Sequence, residues 1–250
     1  MTKIILSGSS GKMGRAVIRT VFSRNDCKIV AGIDQCINEN DCFPIFNSAG
    51  KINIDANVII DFSNPSMLDS LLNYATYKRL PIVICTTGFN EEQINKIKKA
   101  SQSIPIFFSG NMSMGINLLI ELAKKATLVL GNSFDIEIIE KHHNQKVDAP
   151  SGTAFMIANA IKDTHIQNYN YVYERHSYRR PRKSNEIGIH AVRGGTIVGE
   201  HEVMFAGKDE TLTISHSAQS KEIFAVGAVN AALFLLSQPA GLYQMSDLLK

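Results

Sequence analysis

Short, unbroken apolar runs recur through the first half of the chain. Lys3 to Ser7, Lys28 to Ile33, Val58 to Phe62, Pro81 to Cys85 and Ile104 to Phe108 each read as a strand buried on both faces. Segments with helical spacing lie between them. Met13, Val17, Ile18 and Val21 share one face after the first run. Asn64-Pro65-Ser66 opens a helix carrying Met67, Leu71 and Leu72, and Glu91 to Ala100 reads as another. Strands alternating with helices predict a parallel sheet with right-handed crossovers.

The pattern changes after Met112. A helix carrying Leu118, Leu119, Leu122 and Ala123 leads to an alternating strand (Phe134, Ile136, Ile138). A second helix follows, with Ala154, Phe155, Ile157, Ala158 and Ile161. Beyond it the chain is mostly β, with strands expected at Tyr169 to His176, Ile187 to Val192, Thr196 to Phe205 and Thr211 to Ser217. Their alternation suits an open sheet with one covered face. Residues 222–236 form a strongly apolar helix, expected to pack back on the first domain, and Gly241 to Met245 reads as a final turn. The expectation is an α/β protein: one domain from 1–112 plus 218–250, and a smaller α+β domain with an open mixed sheet at 113–217.

Composition narrows the class. The chain has 250 residues, 44% of them hydrophobic, enough for a sizeable core. A net charge of +3 is too small to argue for nucleic acid or a membrane. No charged amino end leads into an apolar run, and no apolar stretch has membrane-spanning length. Cys27, Cys36, Cys42 and Cys85 form no CxxC pair, so a cytoplasmic protein with reduced thiols is expected.

The first strand runs into Gly8-Ser9-Ser10-Gly11-Lys12-Met13-Gly14 and then directly into a helix. Strand, glycine turn and helix are the setting of a Rossmann dinucleotide site. Gly8 permits the sharp exit, Gly11 lets backbone approach a pyrophosphate, and Gly14 lets the helix sit close to the sheet. The spacing is G-x-x-G-x-x-G rather than the commoner G-x-G-x-x-G. Asp34 ends the second strand 20 residues after Gly14, where a carboxylate meets the adenosine ribose. It repels the extra phosphate of NADP, and Gln35 offers no positive charge, although Lys12 gives partial compensation. NADH is therefore expected to be preferred, with NADPH accepted. The other strand ends carry Phe62-Ser63, Cys85-Thr86-Thr87-Gly88 and Ser109-Gly110-Asn111-Met112, small or hydroxylated groups suited to a backbone-lined groove.

The densest chemistry lies between 140 and 154: Glu140-Lys-His142-His143-Asn-Gln-Lys146-Val-Asp148-Ala-Pro150-Ser151-Gly152-Thr153-Ala154. It falls where a strand hands over to a helix, whose first N–H groups and dipole attract anions. Pro150 suits the approach, and Ser151 or Thr153 can cap. His142 and His143 are neighbours and point to opposite sides on extended backbone, so they cannot share one task. Lys146 follows a short turn and can swing back toward one of them. A histidine beside an anion pocket suits general acid work. The bland alternative is a surface histidine pair and an ordinary turn. A metal site is disfavoured, since the two imidazoles are badly placed for one ion and no Cys or carboxylate recurs at ligand spacing. Arg175, Arg179, Arg180, Arg182 and Lys183 read as a solvated basic loop; a flap attracting an anionic substrate is the alternative. Nucleic acid is less favoured there, because no aromatic platform accompanies the charges.

The Glu140-x-His-His-x-x-Lys-x-Asp-Ala-Pro-Ser-Gly-Thr-Ala stretch resembles the signature of the 4-hydroxy-tetrahydrodipicolinate (dihydrodipicolinate) reductases. Supporting matches are Gly8 to Gly14, Asp61-Phe62-Ser63, Thr86 to Phe89, Asn111-Met112-Ser113, Gly188, Arg193-Gly194-Gly195 and Ile197 to His201. The resemblance spans essentially the whole chain. It implies reduction of a cyclic imine dicarboxylate by NADH or NADPH in the diaminopimelate route to lysine. It makes His142 the proton donor or acceptor and Lys146 a second donor that stabilises developing charge. His143 contacts substrate, and Gly152 and Thr153, with Ser151 beside them, hold a carboxylate. Cofactor contacts fall on Gly8, Ser9, Ser10, Gly11, Lys12, Met13, Asp34, Cys85, Thr86, Thr87, Ser109, Gly110, Asn111 and Met112. The second domain implies a homotetramer. Two positions depart from the pattern: Cys85 stands where glycine is common, and Gln35 where some members carry arginine. The competing readings are another two-domain dehydrogenase, such as a semialdehyde dehydrogenase, and a dinucleotide-sensing regulator.

Overall fold

In the computed structural model the described residues are 1–36 and 42–249. Residues 37–41 and Lys250, part of the expected first domain, lie outside the described residues. Two compact units emerge, Met1–Ser113 with Lys221–Lys250, and Met114–Ser220.

The first unit is a parallel sheet of seven strands. They are β1 (Thr2–Ser7), β2 (Cys27–Ile33), β3 (Ile45–Phe46), β4 (Val58–Asp61), β5 (Ile82–Ile84), β6 (Pro105–Phe108) and β12 (Gly241–Tyr243), in the spatial order β12-β6-β5-β4-β1-β2-β3. Four helices serve it: α1 (Lys12–Phe22), α2 (Leu68–Lys78), α3 (Glu91–Ala100) and α6 (Glu222–Leu235). The unbroken apolar runs have a direct cause. Ile4, Leu6, Val58, Ile60, Val83 and Phe107 join one buried cluster with α1 and α6. Ile5, Ala31, Ile33, Ile59, Ile82 and Ile106 join another with α2 and α3. Alternate residues of each strand thus enter opposite cores, so both parities must be apolar. Strand order reverses between β1 and β4, and a crevice at such a point is where open α/β sheets bind ligands.

The second unit carries a five-stranded mixed sheet in the order β11-β10-β7-β9-β8. Its strands are β7 (Asp135–His142), β8 (Asn170–Val172), β9 (Glu186–Arg193), β10 (Gly199–Ala206) and β11 (Thr211–Ala218). β7 lies parallel to β9 and antiparallel to β10. Helices α4 (Met114–Leu130) and α5 (Gly152–Lys162) cover one face, where Ile136, Ile138, Ile187, Ile189, Val203 and Phe205 meet Ile116, Leu119, Ile157 and Ile161.

Three expectations are corrected. The strand expected over Tyr169 to His176 is only Asn170–Val172, because the Glu174 carboxylate accepts the N–H groups of His176 and Ser177 and turns the chain. The turn expected at Gly241 to Met245 contains β12, which adds to the sheet beside β6. The basic loop is not a freely solvated run. Arg175 pairs with Glu186 at 2.7 Å and Glu137 at 3.0 Å, Arg180 pairs with Glu186 at 2.8 Å, and Arg182 pairs with Asp135. Acids on β7 and β9 therefore pin the loop.

Candidate functional site

In the first unit the β1–α1 turn folds as the glycine pattern requires. Gly8 has φ +76°, and a Cβ there would lie 2.4 Å from the Phe62 carbonyl oxygen, so only glycine passes without strain. A Cβ at Gly14 would lie 2.2 Å from the Gly8 oxygen, so the helix start sits directly on the turn. Gly11 is the N-cap of α1 and supplies no side-chain cap. A cavity of about 340 Å³ opens at the strand-order reversal, lined by Gly8, Ser10, Gly11, Asp34, Phe62 and Ser63 among others. Asp34 Oδ2 accepts the Ser10 N–H at 2.9 Å, and Oδ1 accepts the Cys36 N–H at 3.2 Å.

This donor set fits a dinucleotide: a glycine turn that a Cβ would fill, a helix start, and a carboxylate at the next strand end. The remaining candidates are distributed more widely. Ser9 is fully buried, Lys12 is exposed, and Met13 packs against the core. Cys85 and Thr86 are buried after β5, with Thr87 exposed. Ser109, Gly110, Asn111 and Met112 follow β6, with Met112 in the core. Asn64 and Met67, expected only as parts of a helix, also line the cavity.

Beneath this edge Asp61 is 1% exposed. It accepts the Ser63 N–H at 3.1 Å and the Thr86 hydroxyl at 2.7 Å. Burial pushes its carboxyl up, against those hydrogen bonds. Burial also pushes the Cys85 thiol well above its usual range, the opposite of what a nucleophilic thiolate needs.

In the second unit, β7 breaks its own apolar rhythm. Ile136 and Ile138 enter the core, and the next residue of that parity, Glu140, is fully buried. Its Oε1 accepts the Ser151 N–H at 3.0 Å and Arg193 Nη2 at 2.7 Å. Its Oε2 accepts Arg193 Nη1 at 2.7 Å and lies 2.6 Å from His142 Nδ1. Burial alone would push Glu140 up; hydrogen bonds from Arg193, His142 and Ser151 outweigh it and hold the carboxyl below the usual range. The His142 imidazolium is disfavoured by burial and by the Lys146 and Arg193 charges, while Glu140 opposes both.

The turn beyond His142 is held from β9, where Gly194 N–H donates to the His142 carbonyl at 2.9 Å and Asn144 N–H donates to Gly195 at 3.2 Å. His143 accepts the Lys146 N–H at 3.1 Å, and Lys146 Nζ pairs with Asp148 at 2.8 Å rather than with an imidazole. After the cis Ala149–Pro150 bond, Ser151 caps α5 by accepting the Ala154 N–H at 3.1 Å. Gly152 and Thr153 open the helix. Ser151 Oγ lies 2.9 Å from His201 Nε2, and the His142 and His201 rings meet edge to face at 5.2 Å. Burial, then the neighbouring His142, pushes His201 down to about 4.

The structure therefore gathers Glu140, His142, Ser151, Arg193 and His201 into one network. Arg193 and His201 were not singled out as site residues, although His201 stands at a buried strand position. Among the described residues, no group of three or more His, Cys, Asp or Glu side chains is arranged to hold a metal ion. No helix among them is long and apolar enough to cross a membrane.

Residues 2–112 match the family described as dihydrodipicolinate reductase, N-terminus, and residues 115–249 match its C-terminus. A 4-hydroxy-tetrahydrodipicolinate reductase of Caldanaerobacter subterraneus subsp. tengcongensis is 50% identical, covering 100% of this chain and 99% of its own. That of Clostridium tetani is 48% identical, covering 100% and 97%. The fold is shared with a dipicolinate-bound dihydrodipicolinate reductase from Paenisporosarcina sp. TG-14, with a TM-score of 0.81, 23% identity, and coverage of 98% of this chain and 97% of that one.

Proposed function

The chain belongs to the dihydrodipicolinate reductase family, and on that premise we propose that His142 is the proton-exchanging group of its reaction and Lys146 the second donor. The chain is an NAD(P)H-dependent 4-hydroxy-tetrahydrodipicolinate reductase of the diaminopimelate route to lysine. When bound, the reduced nicotinamide supplies the hydride that reaches ring carbon four of the substrate.

The observation that carries the residue assignment is the 2.6 Å link between His142 Nδ1 and a buried, charge-compensated carboxylate. With Nδ1 held by Glu140, His142 exchanges its proton through Nε2. Lys146 brings a positive charge to the same turn and stabilises the charge that develops during transfer. It must exchange Asp148 for substrate to do so. The first N–H groups of α5, at Gly152 and Thr153, with the helix dipole, suit one carboxylate of a cyclic diacid, and His143 contacts the substrate beside them.

In the first unit Gly8, Ser10, Gly11 and Asp34 hold the dinucleotide, with contacts from the loops after β5 and β6. Asp34 disfavours a 2′-phosphate, so NADH is the preferred cofactor and NADPH is accepted. The open face of the second sheet is the surface through which four copies assemble. The described cysteines carry free thiols, in keeping with a reductive reaction of the cytoplasm.

The test is a coupled assay. The chain oxidises NADH or NADPH only with the product of dihydrodipicolinate synthase, and His142→Gln loses kcat by roughly 10²-fold or more with little change in KM. An unchanged kcat in that variant removes His142 from the role.

A further inference from the structure

We propose that Glu140 is the positioning residue of the proton transfer: its buried carboxylate fixes the His142 ring and tautomer so that Nε2 alone exchanges the proton. This rests on the assignment of His142 made above.

Glu140 occupies a core position. Following Ile136 and Ile138 on the helix-covered side of β7, it is fully buried where isoleucine would cost nothing. A buried carboxylate is costly unless its lone pairs are met and its charge offset. Both conditions hold, through two donors on each oxygen and the paired Arg193 guanidinium. Saturated in this way, Glu140 has no place left to take a substrate proton. What it can do is hold its neighbours. Its Oε2 obliges His142 to carry hydrogen on Nδ1, in both the neutral and the protonated ring. Arg193 is the register partner of His142 across β7 and β9, and it also donates to the Asp148 carbonyl at 2.7 Å. One guanidinium therefore fixes both the carboxylate and the turn that carries Lys146.

The opposite edge of the ring is shaped as well. A Cβ at Gly199 would lie 3.1 Å from His142 Nε2 and 3.4 Å from Cδ2, so glycine there leaves room beside the exchanging nitrogen. The charged and titratable groups facing His142 are Glu140 on its own strand, Arg193 on β9, His201 on β10 and Lys146 in the turn, with Asp148 and His216 one step further out. Of the four that face it, Glu140 alone favours the imidazolium, while Arg193 and Lys146 oppose it.

Two measurements decide. Imidazole ¹⁵N spectra of the unaltered protein should show neutral His142 as the Nδ1–H tautomer; an Nε2–H tautomer overturns the proposal. In Glu140→Gln the neutral amide leaves Arg193 without its counter-charge in either rotamer, and its N–H group faces the His142 Nδ1–H in one and the Ser151 N–H in the other. Its kcat should fall roughly 10²-fold, with substrate KM within about threefold. The alkaline limb of its kcat profile, where His142 loses its proton, should move about one pH unit lower. Glu140→Asp should restore the limb in part. A Glu140→Gln enzyme with unaltered kcat and limb, beside an inactive His142→Gln, overturns the positioning role and leaves the His142 assignment standing. A fully active His142→Gln removes both. Should Glu140→Gln fail to fold by circular dichroism, the tautomer in the unaltered protein still decides.

Discussion

Asp34 sits at the end of β2 with both carboxylate oxygens engaged by backbone N–H groups, from Ser10 at 2.9 Å and Cys36 at 3.2 Å. Anchored there, and in the proposed ribose role, it would set a fixed negative charge against an added 2′-phosphate. A tenfold preference corresponds to about 1.4 kcal/mol, within reach of one such repulsion. We therefore expect kcat/KM for NADH to exceed that for NADPH by roughly tenfold, and Asp34→Asn to narrow the ratio chiefly by improving NADPH. Steady-state kinetics with both cofactors check this, and an NADPH advantage in the unaltered enzyme refutes it. Asp34 stands out in the sequence through a local spacing to Gly14, and in the fold it lines the same cavity as Gly8, Ser10 and Gly11. His142 and Lys146 announce themselves by density. Arg193 and His201 lie 53 and 61 residues beyond Glu140 in the chain. Their part in the network arises only when β9 and β10 take register against β7, which a single sequence does not display.

At the scale of elements, that register ties the start of α5 to β10 through Ser151 and His201. His201 is 4% exposed, and its folded pKa lies near 4 against an ordinary value of about 6.5. Between those values the unfolded chain binds a proton that the fold refuses, so stability rises with pH across the window and is lost as pH falls from about 6.5 toward 4. The contribution is on the order of 3 kcal/mol. His142 and His216, also lowered, act in the same direction. Glu186, held down at about 2 by Arg175 and Arg180, gives way only at lower pH, below the usual carboxylate range. Denaturant midpoints taken from pH 7 to 4.5 should therefore fall more steeply for the unaltered protein than for His201→Gln, whose amide can still reach the Ser151 hydroxyl. Parallel slopes would show that His201 does not carry this linkage. Elements buried on both faces were legible as continuous apolar runs. β12 was not, since it is three residues at a sheet edge with Leu242 43% exposed, and nothing in Gly-Leu-Tyr distinguishes it from a turn. The ion-paired loop was misread because five basic residues look solvated until Asp135, Glu137 and Glu186 arrive from two strands.

At the scale of the whole molecule, what remains is the second face of the five-stranded sheet. Burial alternates along β7 and β10, and the helix-covered parity holds the core. The other parity places Glu137, Ile139 and Lys141 of β7 beside Val192 of β9 and Glu202 and Met204 of β10. This surface mixes aliphatic side chains with charges already matched internally, such as Lys141 with Glu200 at 3.0 Å and Glu137 with Arg175. A second copy can cover the Lys141–Glu200 and Glu137–Arg175 pairs without stranding their charges, whereas Glu202 on the same face must be met by a donor of that copy. Copies related by twofold axes would present the same patch to one another, the commonest route to closed assemblies. We expect light scattering after size exclusion to give four times the chain mass at micromolar concentration. Val192→Asp, which puts an unmatched carboxylate at a side chain 45% exposed in the single chain, should shift the population to smaller species. A monomeric unaltered protein at that concentration would refute the assembly and leave the chemistry of Glu140 and His142 untouched, because every group in that network comes from one chain.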